Sequence, residues 1–295
     1  MTRRLALLGV LLGCGGDEPT PPLIDPPRVL SEQPIAFTSN RDGNLEIYIM
    51  KVDGSDPRRL TSSLDADHSA DWSPDGTRIA FMRHGIGDYE IYSINPDGTG
   101  LRQLTDNSVH DGFPRWSPDG AQIMFTSSRD DTFEVYVMTL FGDNQRRLTP
   151  PPFADIGGAW SPDGARIAFS SSRDGNMEIY VMRSDGTDPV RLTNHIAEDG
   201  SRLAWSPDGT RIAFSSYRDG NQEIYLINVD GTGLTRLTND PGIDRYPAWS
   251  PDGRQVAFTT TRDGNNEIYV VNVDGTGLTR LTDNPADDFL DAWRR

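Results

Sequence analysis

Carboxylates and guanidinium groups recur at fixed positions along this sequence. The carboxylates could bind cations, or they could form ion pairs with the guanidinium groups. An aspartate lies seven residues after a leucine in each of six copies, at Asp67, Asp111, Asp155, Asp199, Asp244 and Asp288. A glutamate with a tyrosine two positions later recurs at Glu46, Glu90, Glu134, Glu178, Glu223 and Glu267. An arginine precedes this glutamate in five copies, at Arg41, Arg129, Arg173, Arg218 and Arg262, whereas the remaining copy has Gly85 there and Arg83 nearby.

These repeated charges allow two interpretations. A planar guanidinium group can bind two carboxylates, so Asp, Arg and Glu could form a network of charge-assisted hydrogen bonds that ties each loop to its neighbour. Alternatively, a ring of carboxylates near the mouth of a channel could bind a cationic partner or a divalent cation such as Ca²⁺, which prefers several oxygen ligands. We favour the structural network and predict no metal ion.

The remaining reactive residues give no catalytic pattern. Four histidines, at positions 68, 84, 110 and 195, are expected in loops but at different positions of the repeat, which argues against a zinc or manganese site. The sequence contains no G-x-S-x-G, H-E-x-x-H, P-loop or C-x-x-C motif. We therefore predict no catalytic residues, no cofactor and no enzymatic activity.

The elements that must position these charges form a repeat of about 44 residues. Tryptophan occurs only at 72, 116, 160, 205, 249 and 293, and the first five are followed by Ser-Pro-Asp-Gly. Proline restricts φ, aspartate accepts hydrogen bonds from the following backbone and glycine tolerates positive φ, so this segment is a tight turn. Runs such as Ile79-Ala80-Phe81 and Glu178-Ile179-Tyr180-Val181-Met182, an Asp-Gly turn and a Leu-Thr segment follow, which predicts four strands per copy.

Six such copies predict an all-β fold, a six-bladed β-propeller of four-stranded antiparallel blades over residues 34–295. A single blade leaves both of its faces unburied, so the blades must stack radially. Three strands precede Trp72, and the chain stops after one further strand, Phe289 to Trp293. We therefore expect the two ends to share a blade, three strands from the N-terminus and one from the C-terminus, which removes exposed strand edges.

The N-terminus has the features of an export signal. Arg3 and Arg4 precede an apolar run from Leu5 to Leu12, which is too short to span a bilayer. Leu11-Leu12-Gly13-Cys14 resembles the bacterial lipobox, which implies a signal peptide over 1–13, acylation of Cys14, and outer-membrane location because Gly15 follows. Residues 14–33 are predicted to be a flexible, Pro-rich tether. An ordinary signal peptide with an incidental cysteine, or a misassigned start codon, is the alternative.

The charge of the chain limits its partners. The formal net charge is −16, and the 28 basic residues form no basic stripe. Because a phosphate backbone repels such a protein, nucleic acid is not expected as a partner. We expect a monomer that contacts the membrane through its lipid anchor only.

The repeated motifs resemble those of the TolB family of WD40-like propellers. The resemblance rests on Trp-Ser-Pro-Asp-Gly, Ile-Ala-Phe, Arg-Asp-Gly-Asn-x-Glu-Ile-Tyr, and Asp-Gly-Thr with Arg-Leu-Thr, and it covers residues 34–295. The resemblance implies that the propeller of this family contacts the lipoprotein Pal. It also implies an N-terminal α/β domain, with a segment that contacts TolA. We expect no such N-terminal domain here. The expected partner is an envelope protein or peptide, and a Pal-like protein is one candidate.

Candidate contacts come from segments that differ among the copies, because divergence within a repeat indicates freedom from blade geometry. These segments lie just before each tryptophan and are interpreted as loops. Aromatic and arginine side chains anchor interfaces efficiently. The candidate contact residues are therefore the aromatic and arginine residues of these segments, Phe113, Arg115, Arg202, Arg245, Tyr246 and Phe289. Packing within the blades is the alternative role for these residues. The predicted function is a non-catalytic envelope lipoprotein that serves as a protein-binding scaffold in the periplasm; the alternative is a metal-dependent oligosaccharide lyase or glycan-binding propeller.

Overall fold

The computed structural model describes residues 33–85, 87–200 and 202–295. These residues form 24 strands, β1 to β24 in chain order, arranged as six four-stranded antiparallel sheets. No helix capable of spanning a membrane occurs in the part of the chain that the structure describes. The six-bladed, all-β propeller predicted from the sequence is confirmed.

The blades are numbered along the chain. Blade 1 contains β4 (Ala66–Trp72), β5 (Ile79–His84), β6 (Tyr89–Ile94) and β7 (Arg102–Gln103); blade 2 contains β8 (Asp111–Trp116), β9 (Gln122–Ser127), β10 (Glu134–Thr139) and β11 (Arg146–Arg147). Blade 3 contains β12 (Asp155–Trp160), β13 (Arg166–Ser171), β14 (Glu178–Arg183) and β15 (Val190–Arg191); blade 4 contains β16 (Ala204–Trp205), β17 (Arg211–Ser216), β18 (Glu223–Asn228) and β19 (Thr235–Arg236). Blade 5 contains β20 (Asp244–Trp249), β21 (Gln255–Thr260), β22 (Glu267–Asn272) and β23 (Thr279–Arg280); blade 6 contains β24 (Asp288–Trp293), β1 (Ile35–Ser39), β2 (Glu46–Met50) and β3 (Arg58–Arg59).

The first strand of each blade is the innermost. These strands contact one another in a closed ring, from β4 through β8, β12, β16 and β20 to β24 and back to β4. They therefore form the wall of a central channel. The face that carries the Ser-Pro-Asp-Gly turns is called the tryptophan face here, and the opposite face, which carries the Arg-Asp-Gly segments, is called the loop face.

Hydrophobic clusters join each blade to its neighbour. Between blades 6 and 1, for example, Ile47 and Ile49 pack with Trp72 and Phe81. The phenylalanine at the centre of each second strand is at most 1% exposed in every blade. Replacing such a side chain by alanine costs about 3–5 kcal/mol, so blade stacking supplies much of the stability.

Blade 6 joins the two ends of the described chain. Strand β24 pairs with β1 in an antiparallel register that runs from Ile35 opposite Trp293 to Ser39 opposite Asp288. Arg41 donates hydrogen bonds from Nη2 to both carboxylate oxygens of Asp288, at 2.8 and 2.7 Å. The predicted closure by three N-terminal strands and one C-terminal strand is confirmed.

Candidate functional site

The channel wall is shaped by a β-bulge in the innermost strands. The register between first and second strands shifts between His68 and Asp71, and it shifts at the equivalent place in blades 2, 3 and 5. Ser69, Phe113 and Tyr246 have positive φ at this bulge. A bulge re-aims side chains. The divergent segments before the tryptophans, predicted to be loops, belong to the innermost strands in five blades, whereas in blade 4 Arg202 and Leu203 precede the strand.

Arg202 closes the channel at mid-depth. Its Nη1 donates to the carbonyl oxygen of Leu290 at 2.9 Å and to Oδ1 of Asp291 at 3.0 Å, both in blade 6. Its Nη2 donates to Oγ of Ser69 at 2.6 Å, in blade 1, which lies opposite blade 4 in the ring. Arg202 is 8% exposed and Asp291 6%. These three residues with Leu290 are called the channel plug.

Aromatic side chains support the plug from the loop face. The guanidinium carbon of Arg202 lies 4.6 Å from the ring centroid of Tyr246, and that of Arg245 lies 5.0 Å from the same ring. Arg245 also lies 5.6 Å from the Phe289 ring and donates to Oδ1 of Asn266 at 3.0 Å. Among the predicted contact residues, Arg202 and Tyr246 are thus used within the channel, and Phe113 sits partly buried at the bulge of blade 2.

On the tryptophan face, a cavity of about 470 Å³ lies between the plug and solvent. We call it the vestibule. Five of the six tryptophans contribute to its wall, all except the fully buried Trp205, together with the proline of each Ser-Pro-Asp-Gly turn. Its polar lining comes from Gln33, Asp71, Ser73, Arg115, Asp291 and Arg295, whereas Arg202, Arg245, Tyr246 and Phe289 do not reach it. The predicted contact residues are therefore divided between the two sides of the plug, with Arg115 alone in the vestibule.

Arg115 and Asp71 are close enough to interact but form no direct ion pair among the described contacts. Arg115 donates from Nη1 to the carbonyl oxygen of Pro114 at 3.1 Å, and Oδ2 of Asp71 accepts from the backbone N–H of Trp116 at 2.7 Å. Burial lowers the pKa of Arg115, the charge of Asp71 opposes this shift, and the charge of Arg202 adds to it. Burial likewise raises the pKa of Asp71.

The repeated aspartates all lie against an arginine. The closest nitrogen–oxygen distances are 2.7 Å for Arg41–Asp288, 2.6 Å for Arg83–Asp67, 2.8 Å for Arg129–Asp111, 3.0 Å for Arg173–Asp155, 2.6 Å for Arg218–Asp199 and 3.0 Å for Arg262–Asp244. In blade 1, Arg83 takes the place of the missing loop arginine. Each pair joins two parts of the same blade. Contrary to the expectation from the sequence, these arginines therefore do not tie each loop to its neighbour.

The repeated glutamates have a separate set of partners. Glu46, for example, accepts from Nη2 of Arg59 at 2.7 Å, from Oγ1 of Thr61 at 2.6 Å and from the backbone N–H of Ser63 at 2.7 Å. The arginine of the Arg-Leu-Thr segment makes the same contact in blades 3, 4 and 5, through Arg191, Arg236 and Arg280. Sequence reasoning overlooked these arginines, although their fixed place before Leu-Thr was a signal for them.

Carboxylates of neighbouring blades approach each other at the loop face. Burial raises the pKa of Asp244 to about 6, and the negative charge of Glu223 in blade 4 adds to the rise, while Thr260 and Arg262 oppose it. Burial also raises the pKa of Asp67, with a further contribution from Glu46. The six aspartates are 0% exposed and do not line the vestibule, so they form no open ring at a channel mouth.

Three of the four histidines converge on one tyrosine. The ring of Tyr89 lies 5.5 Å from His68, 4.6 Å from His84 and 5.4 Å from His110, between ring centroids. His68 and His84 belong to strands rather than loops, and burial lowers the pKa of His68 to about 4. Within the described ranges, no group of three or more His, Cys, Asp or Glu side chains is arranged to hold a metal ion.

The family model described as the TolB beta propeller domain matches residues 99–203 and 198–290. The chain belongs to this family. No curated protein matches the sequence significantly. Among solved structures, TolB from Acinetobacter baumannii aligns with 90% of this chain and 67% of its own, at 25% identity and a TM-score of 0.79.

Other structures share the TolB-like propeller fold at lower identity. A candidate TolB from Agrobacterium tumefaciens is 22% identical and aligns over 88% of this chain and 93% of its own, with a TM-score of 0.72. An oligogalacturonate lyase in complex with manganese is 15% identical over 84% of this chain and 73% of its own, with a TM-score of 0.59. At these identities the likeness shows the fold alone.

Proposed function

We propose that this TolB-like propeller is a non-catalytic lipoprotein of the bacterial cell envelope whose vestibule binds a segment of another envelope protein. The TolB-like fold suggests a protein-binding scaffold, and TolB-like homologues suggest a periplasmic protein. A Pal-like lipoprotein is one candidate partner, and we propose a monomeric scaffold.

The vestibule is the observation that carries this proposal. It is closed at its base by the channel plug, because Arg202 bonds to blades 1 and 6. A cavity of about 470 Å³ with an aromatic and proline wall has the size and apolar character of ligand-binding clefts. A cavity of this size can hold a few side chains of a partner.

Cross-linking from defined positions would test where the partner binds. A photo-reactive amino acid would replace Asp119 beside the vestibule, Tyr217 on the loop face or Leu234 on the outer edge, all of which are exposed. We expect one envelope protein to be cross-linked from position 119, and Arg115→Glu to abolish its capture. Cross-linking from position 217 alone, with Arg245 and Tyr246 required, would place the partner on the loop face and contradict the vestibule assignment.

The membrane anchor is a separate part of the proposal. Cys14 lies outside the described residues, and the proposed arrangement is a signal peptide over 1–13, an acylated Cys14, a tether over 14–33 and the propeller over 34–295. Stable anchoring requires more than one acyl chain. Labelled palmitate should enter the wild-type protein and not Cys14→Ser, which should leave the outer-membrane fraction; unchanged labelling and fractionation would contradict the anchor.

A further inference from the structure

The six-fold symmetry of the vestibule is broken on one side. The indole nitrogens of Trp160, Trp205 and Trp249 donate to the carbonyl oxygen that precedes the tryptophan of the previous blade, at 3.3, 2.9 and 3.1 Å. The buried indole N–H groups of Trp72, Trp116 and Trp293 have no such acceptor. These three residues belong to the consecutive blades 6, 1 and 2, so the unsatisfied donors are all on the same side.

Arg115 lies on that same side. It is in blade 2, directly before Trp116, and its one hydrogen bond to protein uses Nη1 and the adjacent carbonyl of Pro114. A guanidinium group has five N–H donors, so most of its donors are available to a molecule in the vestibule. The carboxylate of Asp291 is already bonded to Arg202 and to Oγ1 of Thr38. This leaves the donors of Arg115, with the carboxylate of Asp71 nearby, as a donor patch on an aromatic wall.

A ligand for this patch must supply acceptors and negative charge. A carboxylate would accept from the fork of Arg115 in a bidentate manner. The apolar wall of tryptophan and proline would pack against the atoms that carry the carboxylate. Both properties occur together in a polypeptide segment with an acidic side chain or a free C-terminus.

We propose that the vestibule recognises a carboxylate of its partner, with Arg115 as the binding residue and the apolar wall holding the adjoining peptide. This inference rests on the proposed scaffold function and adds the chemistry of the recognised group. The lining carries Asp71 and Asp291 as well as Arg115 and Arg295, so recognition rests on the donors of Arg115 rather than on the net charge of the cavity.

Intrinsic fluorescence offers a direct test, because five of the six tryptophans of the chain line the vestibule. The probes would be N-acetyl-phenylalanine, its amide, and N-acetyl-glutamate α-amide, titrated into the purified full-length protein. We expect saturable quenching by a carboxylate probe and about tenfold weaker binding of the amide, the factor for one charge-assisted hydrogen bond. Preference between the two acids distinguishes a chain terminus from an acidic side chain.

Variants give the control. Arg115→Gln should abolish the preference for acid over amide, Arg115→Lys should retain part of it, and Arg102→Gln on the outer edge, where Arg102 is exposed, should leave it unchanged. Thermal melting would verify that each variant is folded. Equal binding of acid and amide, or a preference that survives Arg115→Gln, would overturn the inference.

Two further outcomes separate this inference from the scaffold proposal. If an envelope protein is still captured at position 119 but acid and amide bind equally, the scaffold stands and carboxylate recognition fails. The second outcome is binding of the carboxylate probes only to a variant that lacks residues 15–32. That result would show that the chain's own acidic segment occupies the vestibule, and it would overturn partner recognition by Arg115.

Discussion

Arg202 shows how a single non-repeated side chain can change what a symmetric ring is able to do. Its guanidinium group is buried and bonds to residues 88, 89 and 133 positions away in the sequence. A buried charge is tolerated only when it is paired and hydrogen-bonded. The plug therefore provides both closure of the channel and a link between three blades.

Removing the plug arginine should be strongly destabilising. Arg202→Ala leaves Asp291 buried without its ion pair, and breaking such a pair costs about 3–5 kcal/mol. The double variant Arg202→Met with Asp291→Asn should recover much of this loss, because no unpaired charge remains. Urea unfolding of the three proteins would measure the difference. A single variant as stable as wild type would show that the plug contributes nothing to stability.

The raised pKa of Asp244 predicts a pH dependence with a definite sign. Its pKa of about 6 in the folded protein lies above the ordinary value near 3.8, so the folded state binds the proton more tightly. Asp244 therefore contributes a slope in which stability rises as the pH falls from 7 through 6 towards 4, and His68, whose pKa of about 4 lies below its ordinary value, contributes with the opposite sign. Asp244→Asn should reduce this slope, whereas Asp283→Asn, at an exposed position, should not. Melting temperatures between pH 4.5 and 7.5 would measure both.

At the scale of the element, the repeated arginine–aspartate pair joins the innermost strand to the loop after the second strand. The guanidinium carbon of Arg173 also lies 4.7 Å from the ring centroid of Tyr180 and 5.3 Å from that of Phe169. One arginine thus contacts three strands of its blade. The same arrangement recurs in the other blades, which explains why these positions vary little among the copies.

Two arginine variants would compare how much a buried ion pair and an exposed ion pair contribute to stability. Arg173→Ala should lower the free energy of unfolding by about 3 kcal/mol, because Asp155 is completely buried. Arg183→Ala removes an equally short contact to Asp188, but both side chains are exposed and the loss should be below about 1 kcal/mol. Calorimetry would provide the comparison, and partner capture should be unchanged in both. Loss of capture at native stability in Arg173→Ala would contradict a structural role.

The elements were predictable from the sequence because each is specified locally. The spacing of the tryptophans and the Ser-Pro-Asp-Gly turns indicated six blades, and the incomplete ends indicated shared closure. The channel was not predictable in this way, since the residues before each tryptophan differ among copies and meet partners in distant blades. Arg115 and Arg202 were selected together as contacts, yet their side chains serve opposite purposes, one bonded across the channel and one facing the vestibule.

At the scale of the whole molecule, closure of the ring determines whether strand edges are exposed. Removal of residues 288–295 would delete β24 and leave β1 unpaired on one side. Exposed strand edges promote association, so this variant should aggregate or elute as large oligomers in size-exclusion chromatography. A variant shortened only by Arg294 and Arg295 should remain monomeric. Monomeric behaviour of the longer deletion would show that the other five blades form a stable open ring.

The ring also has no obligatory starting point. The backbone N–H of Arg294 donates to the carbonyl oxygen of Pro34 at 3.1 Å, so the two ends of the propeller lie side by side. A short Gly-Ser linker could therefore fuse them, and new termini could be opened at any exposed Asp-Gly turn, such as Asp97-Gly98. Circular permutants of this kind would keep the same blades, plug and vestibule. They would attach the proposed membrane anchor to a different blade, so the orientation of the vestibule towards a lipid surface could be changed independently of the fold.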